Sequence, residues 1–526
     1  MSPITEASKL APEFAITAVN CRFDSGSVEP YLGLVDVSAN LITNPISLFL
    51  YDDTHWFSWA GDIDAVDSPI NNDAYQRVYF TGESYPKITA NDVATGGARM
   101  PAVSYKMGVK QPEAVIISGY TGNEQNEEGQ EDDITRFYLR TYVNGYGEEG
   151  PPSLLSGEAT LNNPTAITNL SLSAIGVNVQ NITHQRLYRN VDSAYQLVVE
   201  LPITTLTYAD SLSDDELGIV LDTFTFFEPI ETMIGLTSMA NGILAGFSEF
   251  TVCFSEPYLP HAWPVDYQQT TEYKIVAIAA TGNSLIVGTE GNPYIFSGVS
   301  SDAISGQKLE IAQSCVSKRS MVDMGEYVIY ASPDGLVAIG PGVAQLITSE
   351  ILNKKTWQEY EPDTIRAEYY EGKYFAFYGS SRGFVFDPRS KDFVELDFTA
   401  SGLYTDLKRD VMYILQGQNI KSFDTTGNAL SFSWEKTVRL NYNPAPGAVY
   451  VDAEPVNNVA FAYSVDNVGL INYSDVASVS VNQVISTEAV FRLPAIRGKE
   501  FSFKISGTGK VHKVVLASTL GEAMNG

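Results

Sequence analysis

Between residues 234 and 436 one plan recurs five times: a turn residue, an apolar strand, a short turn, and a second apolar strand. The copies read NGILAGFSEFTVCFS from Asn241, GNSLIVGTEGNPYIFSG from Gly282, GEYVIYASPDGLVAIGPG from Gly325, GKYFAFYGSSRGFVFDP from Gly372 and RDVMYILQGQNIKSFDT from Arg409. Counted from Gly242, Gly282, Gly325, Gly372 and Arg409, the intervals are 40, 43, 47 and 37 residues. An amphipathic helix can imitate one apolar run, but not five spaced pairs. Hairpins at a period near 40 predict a β-propeller with one four-stranded blade per repeat. No blade buries both of its faces alone, so neighbours must stack. Asn241-Gly242 and Asp334-Gly335 are dipeptides that accept the positive φ of tight hairpin turns.

The rest of the chain reads as strand too. Tyr (30) and Phe (25) are abundant, and with Val, Ile and Thr they favour pleated structure. Short strands in EFAITAVNCRF, ISLFLY, HWFSWA and QRVYFTG place residues 1–110 as N-terminal strands that complete the propeller, which would remove exposed sheet edges. Residues 111–228 change texture. FYLRTYVNGYGEEGPPS and QRLYRNVDSAYQLVVELPITTLTYAD alternate with period two, Tyr138, Arg140 and Tyr142 against Leu139, Thr141 and Val143, and predict an inserted immunoglobulin-like sandwich. Residues 229–440 hold the blades, and 441–526 form a separate C-terminal β-domain through AVYVDA, NNVAFAYS, AVFRLP and EFSFKISG. Helix is expected only as a turn or two near ILNKKTWQEY (351–360).

Charge narrows the function classes. Against 33 Lys+Arg stand 63 Asp+Glu, a net charge of −30. Such a surface repels duplex DNA and anionic lipid, whose binding relies on Lys and Arg neutralising phosphates. A conduit wall past which DNA slides fits this balance better than a DNA-binding surface. Cys21, Cys253 and Cys315 are odd in number and lack CxxC spacing, so neither a disulfide framework nor a zinc site is expected. MSPITEASKLAPEF lacks the basic and apolar parts of a signal peptide, and no apolar run approaches a membrane span. Assembly in a reducing cytoplasm, without a membrane anchor, is the expectation.

Motifs for chemistry are weak. GSSRG (379–383) matches the G-x-S-x-G elbow with Ser381 as nucleophile, but FVFDP follows where the elbow needs a helix, so a hairpin turn is expected. His55, His184, His261 and His512 form no H-x-x-x-H pair, and His55 and His261 lie near Trp56 and Trp263, where packing roles are commoner. Glu124, Glu127, Glu128, Glu131, Asp132 and Asp133 make an acidic loop without the ligand order of a calcium loop. Ser332-Pro333-Asp334-Gly335 only brushes the sialidase Asp-box, and no phosphate-cradling glycine loop occurs. No catalytic, cofactor-binding or metal-binding residue is assigned, and no cofactor and no enzyme activity are expected.

Several segments resemble the tail nozzle, or tail tubular protein B, family of short-tailed bacteriophages. They are GSVEPYLG (26–33), HWFSWAGDIDAVDSPI (55–70), QRVYFTGESYPKIT (76–89), MGVKQPEA (107–114) and YVNGYGEEGPPS (142–153). VCFSEPYLPHAWP (252–264), GNPYIFSG (291–298), CVSKRSMVDMG (315–325), YASPDGL (330–336), SFSWEKT (431–437) and RGKEFSFKISGTGKV (497–511) extend the likeness along most of the chain. The resemblance implies a fibronectin type III-like insertion and a structural subunit of a ring, usually a hexamer, in the virion tail. That ring would continue the DNA ejection channel, pass DNA without holding it, and contact a tail adaptor or tube protein and spikes or fibres. A receptor-binding or glycan-degrading tail protein, with a sugar site on the propeller, is the alternative.

Overall fold

The computed structural model describes residues 15–122, 134–162, 165–380, 382–439, 444–455, 458–466, 478–485, 490–493 and 496–525. Their regular structure is nearly all strand, with two short α-helices, Lys354–Gln358 and Leu520–Asn525, among the described residues. The contacts divide the chain into two units. One comprises 61–285 with 296–307, the other 1–60, 286–295 and 308–526.

In the first unit, two antiparallel meanders of four strands stand on either side of the insertion in sequence. One runs Asp64–Asp67, Val78–Thr81, Lys87–Thr89, Tyr105–Lys106, and the other Ile234–Ser238, Leu244–Ser248, Thr251–Phe254, Gln269–Thr270. Asn241 and Gly242 both take left-handed φ, 61° and 70°, at the first turn of the second meander. Tyr79, Ile88, Met107, Leu236, Leu244, Cys253 and Trp263 pool into one core shared by both meanders.

Between them lies a β-sandwich. One sheet is ordered Ile116–Thr121, Ile167–Ser171, Thr207–Asp210, and the other Tyr138–Asn144, Ile182–Val191, Ala194–Pro202. The first strand pairs with the third, the second with the fourth, and the fourth with the fifth. That is the B–E and C–F–G pairing of immunoglobulin-like domains. The last strand fills the far side of E. Val115, Tyr138, Leu170, Leu187 and Val198 form the core between the sheets.

The alternation along Tyr138–Asn144 predicts one buried face, yet all seven residues are buried. The reason is a cover from the chain leaving the sandwich: Leu221 packs on Leu139 and Tyr188, and its amide donates to the Tyr195 carbonyl at 2.8 Å.

The second unit repeats the meander three times. Its sheets are Val322–Asp323 through Val343–Leu346, Arg366–Tyr370 through Phe393–Leu396, and Gly402–Asp406 through Asn419–Phe423. The third gains its fourth strand from the other end of the chain, because Val35–Val37 pairs antiparallel with Ile420–Ser422. The hairpin Ser47–Tyr51/His55–Trp59 packs on the same sheet through Leu48 and Trp56 against Leu415 and Ile420. In the first of these sheets Ser332 pairs with Gly335, so the turn is Pro333-Asp334 rather than the expected Asp334-Gly335. Proline's fixed φ suits the first turn position. The chain is therefore all-β and β-propeller-like, with an inserted sandwich.

The C-terminal region is not separate. Its strands Phe432–Arg439, Glu500–Gly507, Val459–Asp466 and Ser478–Ile485 continue the middle meander through Thr17–Val19 into one nine-stranded sheet. Phe375, Phe377 and Phe423 share a core with Val449, Val451, Phe461, Phe501 and Ile505. The hydrophobic pattern marks these strands but carries no information on which sheet they join.

Candidate functional site

A buried polar cluster of the first unit sits at the root of the sandwich. The chain enters and leaves there at one point: a Cβ built on Gly108 would stand 3.0 Å from Glu228 Cα. Gln180, buried, joins both ends, donating to the Gly108 carbonyl at 3.1 Å and to Glu228 Oε1 at 2.7 Å. Lys106 adds an ion pair to Glu228 at 3.1 Å.

Beside this root, Glu148 and Glu149 face opposite ways, as adjacent residues of an extended segment must. Glu148 turns to the meander. Its Oε1 accepts from Arg77 Nη1 at 2.7 Å and from the Tyr79 hydroxyl at 3.3 Å, and its Oε2 from Asn144 Nδ2 at 2.6 Å. Glu149 turns to the outer face of the sandwich sheet, accepting from the Tyr188 hydroxyl at 2.7 Å, from Thr141 Oγ1 at 2.5 Å and from Arg186. Arg77 also grips Asp73 through Nε at 2.7 Å and Nη2 at 3.1 Å. Arg77, Asp73 and Glu148 are all under a tenth exposed.

Electrostatics follow from that burial. Desolvation works against the Arg77 charge, but Tyr79, Asp73 and Glu148 offset it and its pKa rises above the ordinary guanidinium value. Desolvation also acts on Asp73, yet the Arg77 hydrogen bonds hold that carboxyl below its usual range. His261 lies 3.8 Å from Glu148 Oε1, and burial pushes its pKa down although Glu148 pulls the other way. It is therefore a neutral ring at pH 7. This arrangement holds two modules together; it presents no nucleophile–base pair.

The residues singled out from sequence do not assemble into a second site. His55 bonds Asp52 at 2.9 Å, His184 bonds Thr183 at 3.0 Å and His512 bonds Ser27 at 3.0 Å, each at the surface. Among the described residues no group of three His, Cys, Asp or Glu could hold a metal ion. Cys21, Cys253 and Cys315 are buried free thiols pushed up to about 12 by desolvation. Ser332 donates to Gln313 Oε1 and to the Gly335 carbonyl, so it ties a turn. In GSSRG, Tyr378 pairs with Arg382 and strand Arg382–Phe386 follows, which removes the elbow geometry. Ser381 itself lies outside the described residues, as do Met1–Phe14 and the acidic residues Glu124–Asp133.

Arg77, Asp73, Glu148 and Glu149 were not singled out from sequence. A signal existed in QRVYFTG, where Arg77 is the one charge and stands directly before the buried strand Val78–Thr81.

Fold and site together define a β-propeller-like scaffold carrying a clamped sandwich. No family model matches the chain, and no curated protein matches it. Solved structures with similar arrangements include BBS1N in complex with ARL6DN, at 10% identity and TM-score 0.30 over 75% of this chain and 96% of that one. The Neurospora crassa Pan2 WD40 domain matches at 5% identity and TM-score 0.27, over 49% and 82%. A glutaminyl cyclase of Myxococcus xanthus matches at 14% and 0.22, over 36% and 89%.

Proposed function

We propose that the protein is a structural, non-enzymatic subunit of a bacteriophage tail nozzle or hub ring, a homo-oligomer, six copies in the simplest case. One observation carries the reading. Four of the segments that resemble the nozzle family, far apart in sequence, converge on the sandwich root: Arg77 and Tyr79 from one, Gly108 from the second, Asn144, Glu148 and Glu149 from the third, His261 from the fourth. The resemblance thus coincides with a buried mechanical joint, not with scattered surface turns. A ring of such subunits would multiply the charge of −30 and repel the duplex it conducts, screened beyond about 10 Å at moderate salt. Tube or adaptor proteins and spikes or fibres would be its neighbours.

Low-resolution imaging of the purified assembly, with retention on immobilised duplex DNA at physiological salt, tests this. A closed ring that flows through is expected. A trimer would point to a spike or fibre, and tight, salt-sensitive retention would refute the conduit.

A further inference from the structure

The C-terminal strands carry a groove of about 480 Å³, a size suited to a few side chains of a partner. Its floor is apolar. Trp434, half-buried, meets Phe503 with ring centroids 5.8 Å apart, and Ile505 lies across the ladder from Trp434. One wall is built by a defect in pairing. Asp452 faces Lys513 and Ala453 faces Val511, so His512 is the extra residue of a β-bulge. Bulges re-aim side chains, and here His512 and Lys513 line the groove together with Val511 and Val514. The bulged strand is held in place by a two-way bridge, Val28 to Val511 and back, both at 2.9 Å, and by Ser27 on His512. Among the described lining residues, Lys436, His512 and Lys513 stand with one carboxylate, Asp392.

That lining contrasts with the rest of the molecule. Residues 431–526 contain eight Lys+Arg and eight Asp+Glu, so the whole net charge of −30 resides in residues 1–430. One end of the chain is neutral with a cation-rimmed aromatic groove, while the remainder is strongly acidic. Copies arranged head to tail bring unlike surfaces together, and a heterologous contact of this kind closes into a ring when the rotation allows. Resting on the ring reading above, we propose that the groove over Trp434 receives an acidic segment of a neighbouring copy, an apolar side chain on the Trp434–Phe503 floor and carboxylates at the Lys513 rim. Aromatic anchors in a partly desolvated pocket are where such contacts concentrate.

The test uses the full-length protein. Sedimentation velocity across a concentration series compares wild type with the doubly reversed variant His512→Glu/Lys513→Glu, while circular dichroism and thermal melting verify folding. At least a tenfold loss of association is expected for the variant, with added salt weakening the wild type in the same direction. In parallel, p-benzoylphenylalanine at position 434 is irradiated in the assembled sample. A dimer-sized product whose cross-linked peptide maps to an acidic segment in residues 15–430 supports the contact. A cross-link confined to residues 1–14 of the same chain, or rings that form undiminished in the variant, overturns it and leaves the ring reading standing. A wild type that stays monomeric at every concentration removes both.

Discussion

Replacing Arg77 by Met keeps most of the side chain's length and removes its charge. Asp73 and Glu148, both under a tenth exposed, would then stay buried as two carboxylates with no cation. Tyr79 and Asn144 still donate to Glu148, but Asp73 loses its guanidinium bonds. Breaking a buried pair in this way costs about 3–5 kcal/mol. At about 2–4 °C per kcal/mol for a unit of this size, the thermal midpoint should fall by roughly 6–20 °C at pH 8. The sign with pH should reverse. In the wild type the Asp73 carboxyl is held low, so its contribution is present above its ordinary pKa and fades as acid protonates it. In the variant Asp73 loses the guanidinium bonds that hold it low, so protonation relieves it and the deficit should shrink between pH 8 and pH 5. Adding Glu148→Gln should recover about 1–2 kcal/mol, because contacting charges are not additive. Calorimetry at the two pH values, with the double-mutant cycle, measures all three quantities. A loss below about 1 kcal/mol at pH 8, unchanged at pH 5, would refute the claim that this triad holds the sandwich.

Three further outcomes are expected. Burial pushes the Glu368 carboxyl up to about 7 against the Tyr369 amide and Arg319, so its burden builds as pH rises from the ordinary glutamate value toward 7 and is full above it. Glu368→Gln should raise the melting temperature at pH 8 and leave it nearly unchanged at pH 4, below the ordinary glutamate value; equal effects at both would contradict this. Trp357, wholly buried and donating from Nε1 to the Ser332 carbonyl at 2.8 Å, should cost about 3–5 kcal/mol in urea unfolding when changed to Ala. Excising residues 113–225 with a short Gly-Ser join should leave a soluble β-rich protein, since the ends already meet and Arg77 would face water with Asp73; an insoluble product would contradict that.

Much of the architecture could be read from apolar pairs alone. VIYAS and GLVAIG are strands because each is too short and too β-branched for a buried helix, and a two-residue turn separates them. The helix at Lys354–Gln358 was legible from its setting, with Asn353 capping the Thr356 amide at 2.9 Å. What failed depended on distant partners. Nothing local to Tyr138–Asn144 says that Leu221 covers its second face, and nothing in SFSWEKT says that it pairs with Thr17–Val19. The clamp was half legible. GEEG reads as a loop, yet in extended backbone two adjacent glutamates must diverge, and Arg77 directly before the apolar strand Val78–Thr81 asks for a buried acid. Which acid answers is settled only when residues 71 positions apart are brought together.

The strand Val35–Val37 carries a consequence for synthesis. It leaves the ribosome well before the edge it must fill, at Ile420–Ser422. The Leu32 amide likewise waits for Asp424 Oδ1, 392 positions on. Contacts so remote in sequence form late and slowly, so an unfinished chain keeps that strand unpaired and an interrupted one never completes the sheet. The join then acts as an inspection mark: only a chain translated past Phe423 can hide its open edge, and truncated copies remain sticky and degradable.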